Sequence, residues 1–227
     1  MKKLLLKQLI QEEITKESSL EDYQVYVDLD GVLCDFMGGI VALINEERAR
    51  VPANMPYFES LKPDRHNKDY ILFKHAKKIA DEIGWDGETT EQHLAKSNDG
   101  GLNRATRDLS YALITDNSGF WAGLEWAPGG RELWHFIEPY RPFILSSPLA
   151  DDPSSEEGKR IWCKSNLGLS GGRVILAVNK GISTGDKSGI LIDDKPKKLE
   201  QFGQTGILHK TGNAGASIAK LKDLGFT

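Results

Sequence analysis

Short apolar runs alternate with amphipathic stretches along most of this chain. Val25-Tyr26-Val27 is apolar and rich in β-branched residues, which predicts a short buried strand ending at Asp28. From Phe36 to about Arg50, Ile40, Leu43 and Ile44 share one helical face. After residue 118 the pattern becomes regular. Pro128 marks a helix start, with Leu133, Trp134 and Ile137 as its apolar face. Phe143-Ile144-Leu145 reads as a strand ending at Ser146. Ser154 and Glu157 have the spacing of a capping box for a helix that stops at Gly168. Val174 to Val178 is continuous and β-branched, as in a strand buried on both faces. Ile190-Leu191-Ile192 ends at Asp193, Pro196 opens a helix that Gly203 closes, Gly206 to Leu208 is a last strand, and 215 to 224 a last helix. Alternating strands and helices predict an α/β fold with a parallel sheet flanked by helices.

Two regions depart from this rhythm. Residues 51 to 118 are polar and punctuated by Pro52, Pro56 and Pro63, with helical spacing only over Lys68 to Glu82 and Asn103 to Thr115. They read as a mostly helical inserted lobe. At the N-terminus, Leu6, Ile10 and Ile14 predict an amphipathic helix over residues 3 to 17, either packed on the core or used in a homodimer contact. The expected organisation is an N-terminal helix (1–20), a catalytic core (21–38 and 119–227) and a helical cap lobe (39–118).

Composition narrows the function. The 227 residues carry a net charge of −4, with a pI near 5.8. That balance argues against a broad nucleic-acid footprint but leaves room for small phosphorylated ligands, which need only a few local cations. Two cysteines, Cys34 and Cys163, are too few for a disulfide framework, so a reducing compartment is expected. No apolar run has the length of a membrane span, and the lysine-leucine N-terminus is broken by Lys7 and Gln8. The expectation is a cytoplasmic protein without membrane contact.

The chemistry sits at the strand ends. Asp28, Asp30 and Asp35 crowd into eight residues of "VYVDLDGVLCDF". Two further strands end in Ser146-Ser147 and Asp193-Asp194, and in parallel sheets ligands bind outside the carboxyl ends. Carboxylates crowd together when they hold a hard divalent cation such as magnesium, which takes oxygen ligands. Lys159, near the start of the helix after Ser146, adds an ammonium to a helix N-terminus, a setting that favours an anion. Each signal is weak alone. Lys180 and Lys187 could touch substrate but read first as solvated loop lysines, and the five histidines show no metal-ligand spacing.

The stretches "VYVDLDGVLCDF", "FILSSP", "EEGKRIW" and "ILIDDKP" resemble the four motifs of the haloacid-dehalogenase (HAD) superfamily of phosphohydrolases. Within it the chain is similar to the 5'(3')-deoxyribonucleotidases and their phage and bacterial relatives. The resemblance covers residues 21 to 38 and 119 to 210. The lobe between them matches poorly and is longer than in the family's smaller members.

The resemblance implies a Rossmann-like HAD core and a set of roles. Asp28 would be the nucleophile that forms an aspartyl-phosphate, and Asp30 the general acid and then base. Gly31 would allow a tight turn toward the phosphate. Ser146 and Ser147 would bind phosphate oxygens and Lys159 would neutralise phosphoryl charge. Asp28, Asp193 and the Asp30 carbonyl would hold Mg2+, with Asp194 as a further ligand or support. The implied activity is Mg-dependent hydrolysis of a 5'- or 3'-(deoxy)nucleoside monophosphate.

The implied lobe selects the substrate. Phe58, Trp85, Phe120 and Trp121 are candidate rings for stacking on a base, with Phe120 and Trp121 favoured where the lobe rejoins the core; the same rings could simply fill the lobe's own core. Three rival readings keep the fold. One replaces the nucleotide with a sugar phosphate or other small phosphoester. Another is a nucleotide-binding module without turnover, and the last a polynucleotide end-phosphatase.

Overall fold

The computed structural model describes residues 22–64, 66–83 and 104–227. The expected N-terminal helix and Trp85 lie outside them. Contacts divide the chain into two compact units. One comprises the chain up to Phe36, Leu124–Ala150 and Lys159–Thr227; the other comprises Met37–Gly123 and Asp151–Gly158.

The first unit is built on a five-stranded parallel sheet. Its strands are β1 (Tyr23–Val27), β2 (Phe143–Ser146), β3 (Val174–Leu176), β4 (Ser188–Asp193) and β5 (Thr205–Leu208), in spatial order β3-β2-β1-β4-β5. β1 is central. Val27 pairs with Ile144 of β2 on one side and Ile192 of β4 on the other. The chain leaves β1 in one direction and later returns to its other edge, so strand order reverses at β1, the place where open α/β sheets bind ligands.

Side chains alternate across the pleat. Tyr26, Leu145, Leu191 and Phe202 pack into one buried cluster, while Val25, Val27, Ile144, Ile190 and Ile192 are buried on the other face. The flanking helices include α5 (Gly130–Ile137), α6 (Ser154–Leu167), α7 (Pro196–Phe202) and α8 (Ala214–Asp223). Trp162 of α6 is fully buried and its indole N–H donates to the Leu124 carbonyl at 2.7 Å. Gly203 closes α7 in the left-handed region, at φ 71°.

The second unit carries α1 (Phe36–Ala53) beyond its first residue, α2 (Met55–Ser60), α3 (Lys68–Ile83) and α4 (Arg104–Asp116). Ile40, Ile44, Glu47 and Val51 form the buried stripe of α1. The charge in that stripe is paired: Arg50 donates to both Glu47 oxygens, at 2.7 and 2.8 Å. Among the described residues, no helix is long and apolar enough to cross a membrane.

Three local expectations are corrected. β3 stops at Leu176, and Val178 is 62% exposed instead of strand-buried. β3 is an edge strand whose partner among the described residues, β2, ends opposite it at Ser146; the Ser146 carbonyl still accepts from the Ala177 amide at 2.9 Å, and no ladder remains for Val178. The helix expected from Pro128 begins at Gly130, after Gly129 turns the chain at φ 77°. The capping box of Ser154 and Glu157 gives way to Asp152, whose carboxylate accepts from the Ser154 amide at 2.9 Å and hydroxyl at 2.7 Å. A carboxylate before the helix satisfies an orphan amide and suits the dipole.

Candidate active site

Asp28 follows β1, Ser146 ends β2 and Asp193 ends β4. Because these are neighbouring parallel strands in matched register, three positions far apart in sequence meet at one carboxyl edge. The ladder continues to the site itself: the Asp28 amide donates to Ile192 O at 2.9 Å, and the His209 amide to Asp193 O at 2.9 Å. Asp28, Ser146 and Asp193 are all buried.

The turn after Asp28 is tightly tied. The amides of Val32, Leu33 and Cys34 all donate to Leu29 O, and Gly31 N donates to Cys34 O. Gly31 has φ 77°, and a Cβ there would lie 2.7 Å from Asp194 Oδ2. Only glycine therefore fits between this backbone and the second aspartate of the β4 pair. Thr211, to which the sequence drew no attention, donates its hydroxyl to the Gly31 carbonyl at 2.6 Å. The segment 125–127 braces the other side, through Asp35 N to Glu125 O and Ala127 N to Leu33 O.

Two buried lysines organise the charges. Lys159 of α6 is 2.5 Å from Asp30 Oδ2 and donates to Ser146 Oγ at 3.1 Å. Lys180 lies 2.9 Å from Asp28 Oδ1 and 2.5 Å from Asp193 Oδ2. Its placement corrects the expectation of a solvated loop lysine, because its side chain has no solvent exposure at all. The loop after β3 turns back toward the carboxyl edge, and two acids there draw the ammonium inward. The signal in the sequence was its position between two strands of the sheet, thirteen residues before Asp193, and that alone does not distinguish a buried loop from an exposed one. Lys187 is exposed, as expected.

The remaining expected residues divide. The hydroxyl of Ser147 donates to Ala177 O at 3.0 Å, so of the serine pair it is Ser146 that joins the lysine-carboxylate cluster. In the second unit Phe58, Phe120 and Trp121 are buried, and the Trp121 indole donates to Asp152 Oδ2 at 2.6 Å. His209 is buried with its Nδ1 2.9 Å from Ser217 Oγ.

Burial pushes the Asp28 carboxyl upward, but the ammonium groups of Lys180 and Lys159, with hydrogen bonds from Lys180 and Ser146, outweigh it and leave Asp28 below its usual value. Burial and the Asp28 charge raise Asp193. Burial, augmented by the charges of Asp28, Asp193 and Asp30, pushes Asp194 up to about 7 against the pull of Lys195. Desolvation would lower Lys180, but Asp28 and Asp193 raise it above the ordinary lysine value. The site thus favours a charged Asp28 beside a charged Lys180.

These residues fit a hard divalent cation. Asp28, Asp193 and Asp194 each offer a carboxylate oxygen, all within 4.8 Å of one another. Asp194 Oδ1 is buried with no hydrogen-bond partner, as is Asp30 Oδ1. A buried carboxylate oxygen without a donor is costly unless a cation faces it, and an all-oxygen set suits magnesium.

No protein-family model matches the chain, and no curated protein matches it. Solved structures do. A haloacid dehalogenase-like hydrolase from Burkholderia xenovorans LB400 is similar at TM-score 0.44 and 14% identity, over 85% of this chain and 84% of that one. A hydrolase from Streptococcus pneumoniae is similar at TM-score 0.40 and 14% identity, over 89% and 98%. A β-phosphoglucomutase-type structure from Thermotoga maritima gives TM-score 0.31 and 13% identity, over 88% and 99%.

Proposed function

We propose that this protein is a magnesium-dependent phosphomonoesterase of the HAD type, acting on a small phosphate ester, with a (deoxy)nucleoside monophosphate as the leading substrate. The observation that carries the reading is the meeting of Asp28, Asp30, Ser146, Lys159 and Asp193 at one carboxyl edge, in the chain order of the motifs they resemble, with Lys180 joining them from outside those motifs.

Each side chain has a part in phosphoryl transfer, where catalysis is mainly positioning and charge stabilisation. Asp28, held ionised by its two lysines, attacks phosphorus and forms an aspartyl-phosphate as the ester P–O bond breaks. Asp30, two residues on, gives its proton to the leaving oxygen and then takes one from the water that attacks the aspartyl-phosphate. Ser146 and Lys159, already 3.1 Å apart, hold phosphate oxygens. Lys180 keeps Asp28 and Asp193 from repelling each other. Asp28, Asp193 and Asp194 would hold magnesium, which supplies positive charge against the phosphoryl oxygens.

The nucleotide part of the proposal rests on the resemblance of the motifs. A second reading, a sugar phosphate or another compact phosphoester, is favoured by the burial of Phe58, Phe120 and Trp121, with Phe58 stacked on Phe73 and Phe120 set edge-on against Trp121. The acidic net charge supports a small substrate over extended nucleic acid. The deciding experiment is phosphate release from a panel of nucleotides and sugar phosphates, with and without magnesium, for wild type and Asp28→Asn. Release from nucleoside monophosphates that needs both magnesium and Asp28 is the expected result. Release confined to sugar phosphates selects the second reading, and no release from any ester removes the enzyme assignment.

A further inference from the structure

The opposite edge of the same sheet holds a second constellation. Residues at the amino ends of four neighbouring strands surround a cavity of about 510 Å³: Tyr23 begins β1, Phe143 begins β2, Arg173 precedes β3 and Lys187 precedes β4. The parallel strands separate it from the candidate active site. At about 3.3 Å per residue of β1, its lining residues Val25 and Tyr23 lie roughly 10 and 17 Å from Asp28.

Its side-chain charge is one-sided. Arg141, Arg173 and Lys187 line the cavity, and among the described residues no carboxylate side chain does. The acids nearest in sequence, Asp22, Glu138 and Asp186, are not among its walls. None of the ion pairs among the described residues involves these three cations. Desolvation, and then the like charge of Arg141, hold Arg173 below the usual arginine value, the direction a cation cluster without a counter-charge imposes.

One of these cations is held in place, and another leaves an unusual backbone. Arg141 has φ 51°, and among the described residues it is the only non-glycine in the left-handed region. Arg173 donates through Nε and Nη2 to Pro142 O, at 3.2 and 2.5 Å, and its guanidinium sits 5.2 Å over the Phe143 ring. Tyr140 is anchored by the last residue, donating to Thr227 O at 2.6 Å and accepting from Thr227 N at 2.8 Å. Three cations along one wall, Arg173 fixed and Arg141 and Lys187 exposed, match a ligand with two or more negative charges, and the half-buried Tyr23 and Tyr140 match a planar ring. The volume falls in the range of small-molecule sites, about 300–1,000 Å³.

We propose that this amino-edge cavity is a second binding site, separate from the catalytic residues, for a nucleoside polyphosphate: its phosphates meet Arg141, Arg173 and Lys187, and its base meets the aromatic wall. The site is independent of the activity assigned to the carboxyl edge.

Calorimetric titration of ADP into Asp28→Asn protein, freed of divalent ions, tests it without turnover, and any ADP held by Lys159 and Lys180 at the carboxyl edge is recognised by its indifference to substitutions at the amino edge. The double variant Arg141→Gly, Lys187→Gln removes two of the cations. Glycine suits the φ of position 141 and Lys187 is exposed, so an unchanged thermal midpoint is expected to certify the fold. The expected result is saturable ADP binding that the double variant weakens at least tenfold and each single substitution weakens in part, with adenosine and pyrophosphate each binding at least tenfold more weakly than ADP. Equal ADP affinity in both proteins, or no ADP binding by either, overturns the proposal.

Discussion

The ammonium of Lys180 lies 2.9 Å from Oδ1 of Asp28, and the lysine has no contact with solvent. A second carboxylate, Asp193, shares it at 2.5 Å. One cation between two buried anions leaves that pair short of positive charge, a shortage that a further cation would relieve.

Removing Lys180 should expose this balance. In Lys180→Met, Asp28 and Asp193 face each other without the ammonium they share, and only Lys159 still acts on Asp28. Breaking a buried pair in this way costs about 3–5 kcal/mol. Chemical denaturation without metal should show a loss of that order, and magnesium should restore part of it by taking over the neutralising role. A midpoint that ignores both the substitution and the metal would place Lys180 outside the charge balance.

Asp30→Asn separates proton transfer from binding. General acid-base help is worth about 10²–10⁴-fold, so turnover of an ester with a poor leaving group should fall by that factor. Magnesium affinity, read by calorimetry, should change little, since the carboxylates that cluster for a metal are those of Asp28, Asp193 and Asp194. An ester with a good leaving group should lose less, because its departing oxygen needs less protonation.

Asp194 makes the metal-free protein sensitive to pH. Its carboxyl is raised from 3.8 to about 7, so the folded state binds this proton more tightly than the unfolded chain does. The stabilising contribution is complete below the unfolded value and is lost as pH climbs through the folded one. Thermal midpoints without metal should therefore decline across that window and level off above it. The rise in midpoint given by magnesium should be larger near pH 8 than near pH 5, because the carboxylate must ionise to bind. A magnesium effect that is flat across this range would dissociate Asp194 from the metal.

Gly31→Ala introduces two faults at once. An L side chain at φ 77° costs about 1–2 kcal/mol, and the new Cβ would stand 2.7 Å from Asp194 Oδ2. Either the turn or the carboxylate must move. The expected outcome is a fold retained with lower stability, and magnesium binding weakened more than stability alone explains, measured by parallel melting and metal titration.

Trp162→Phe tests the scaffold. The ring volume is mostly kept, but the Leu124 carbonyl loses its 2.7 Å donor. A buried acceptor left alone costs about 1–3 kcal/mol. Urea midpoints should fall accordingly, while the pH profile of phosphate release stays in place.

The strands, most helices and the parallel α/β class were legible because each depends on local pattern. β1, β2 and β4 are short apolar runs, and each is followed by or ends in a polar residue. The meeting of Asp28, Ser146 and Asp193 was legible for the same reason: they stand at or just after the ends of those strands, and parallel pairing brings such ends together, while Asp30 and Lys159 were singled out by the motif resemblance. Lys180 was not legible. Nothing in "VNKGIS" distinguishes a loop drawn inward by two acids from one left in water. Asp152 was hidden as a helix cap because Ser154 offered a competing signal two residues later.

Alone, the order of residues determined which segments are strands and which chemical groups stand at their carboxyl ends, since backbone propensity and side-chain period act over a few neighbours. Tertiary structure alone decided which of those groups share charge. Coulombic pairing and desolvation depend on distance through space, and the partners of Lys180 lie thirteen residues ahead at Asp193 and on a separate strand at Asp28.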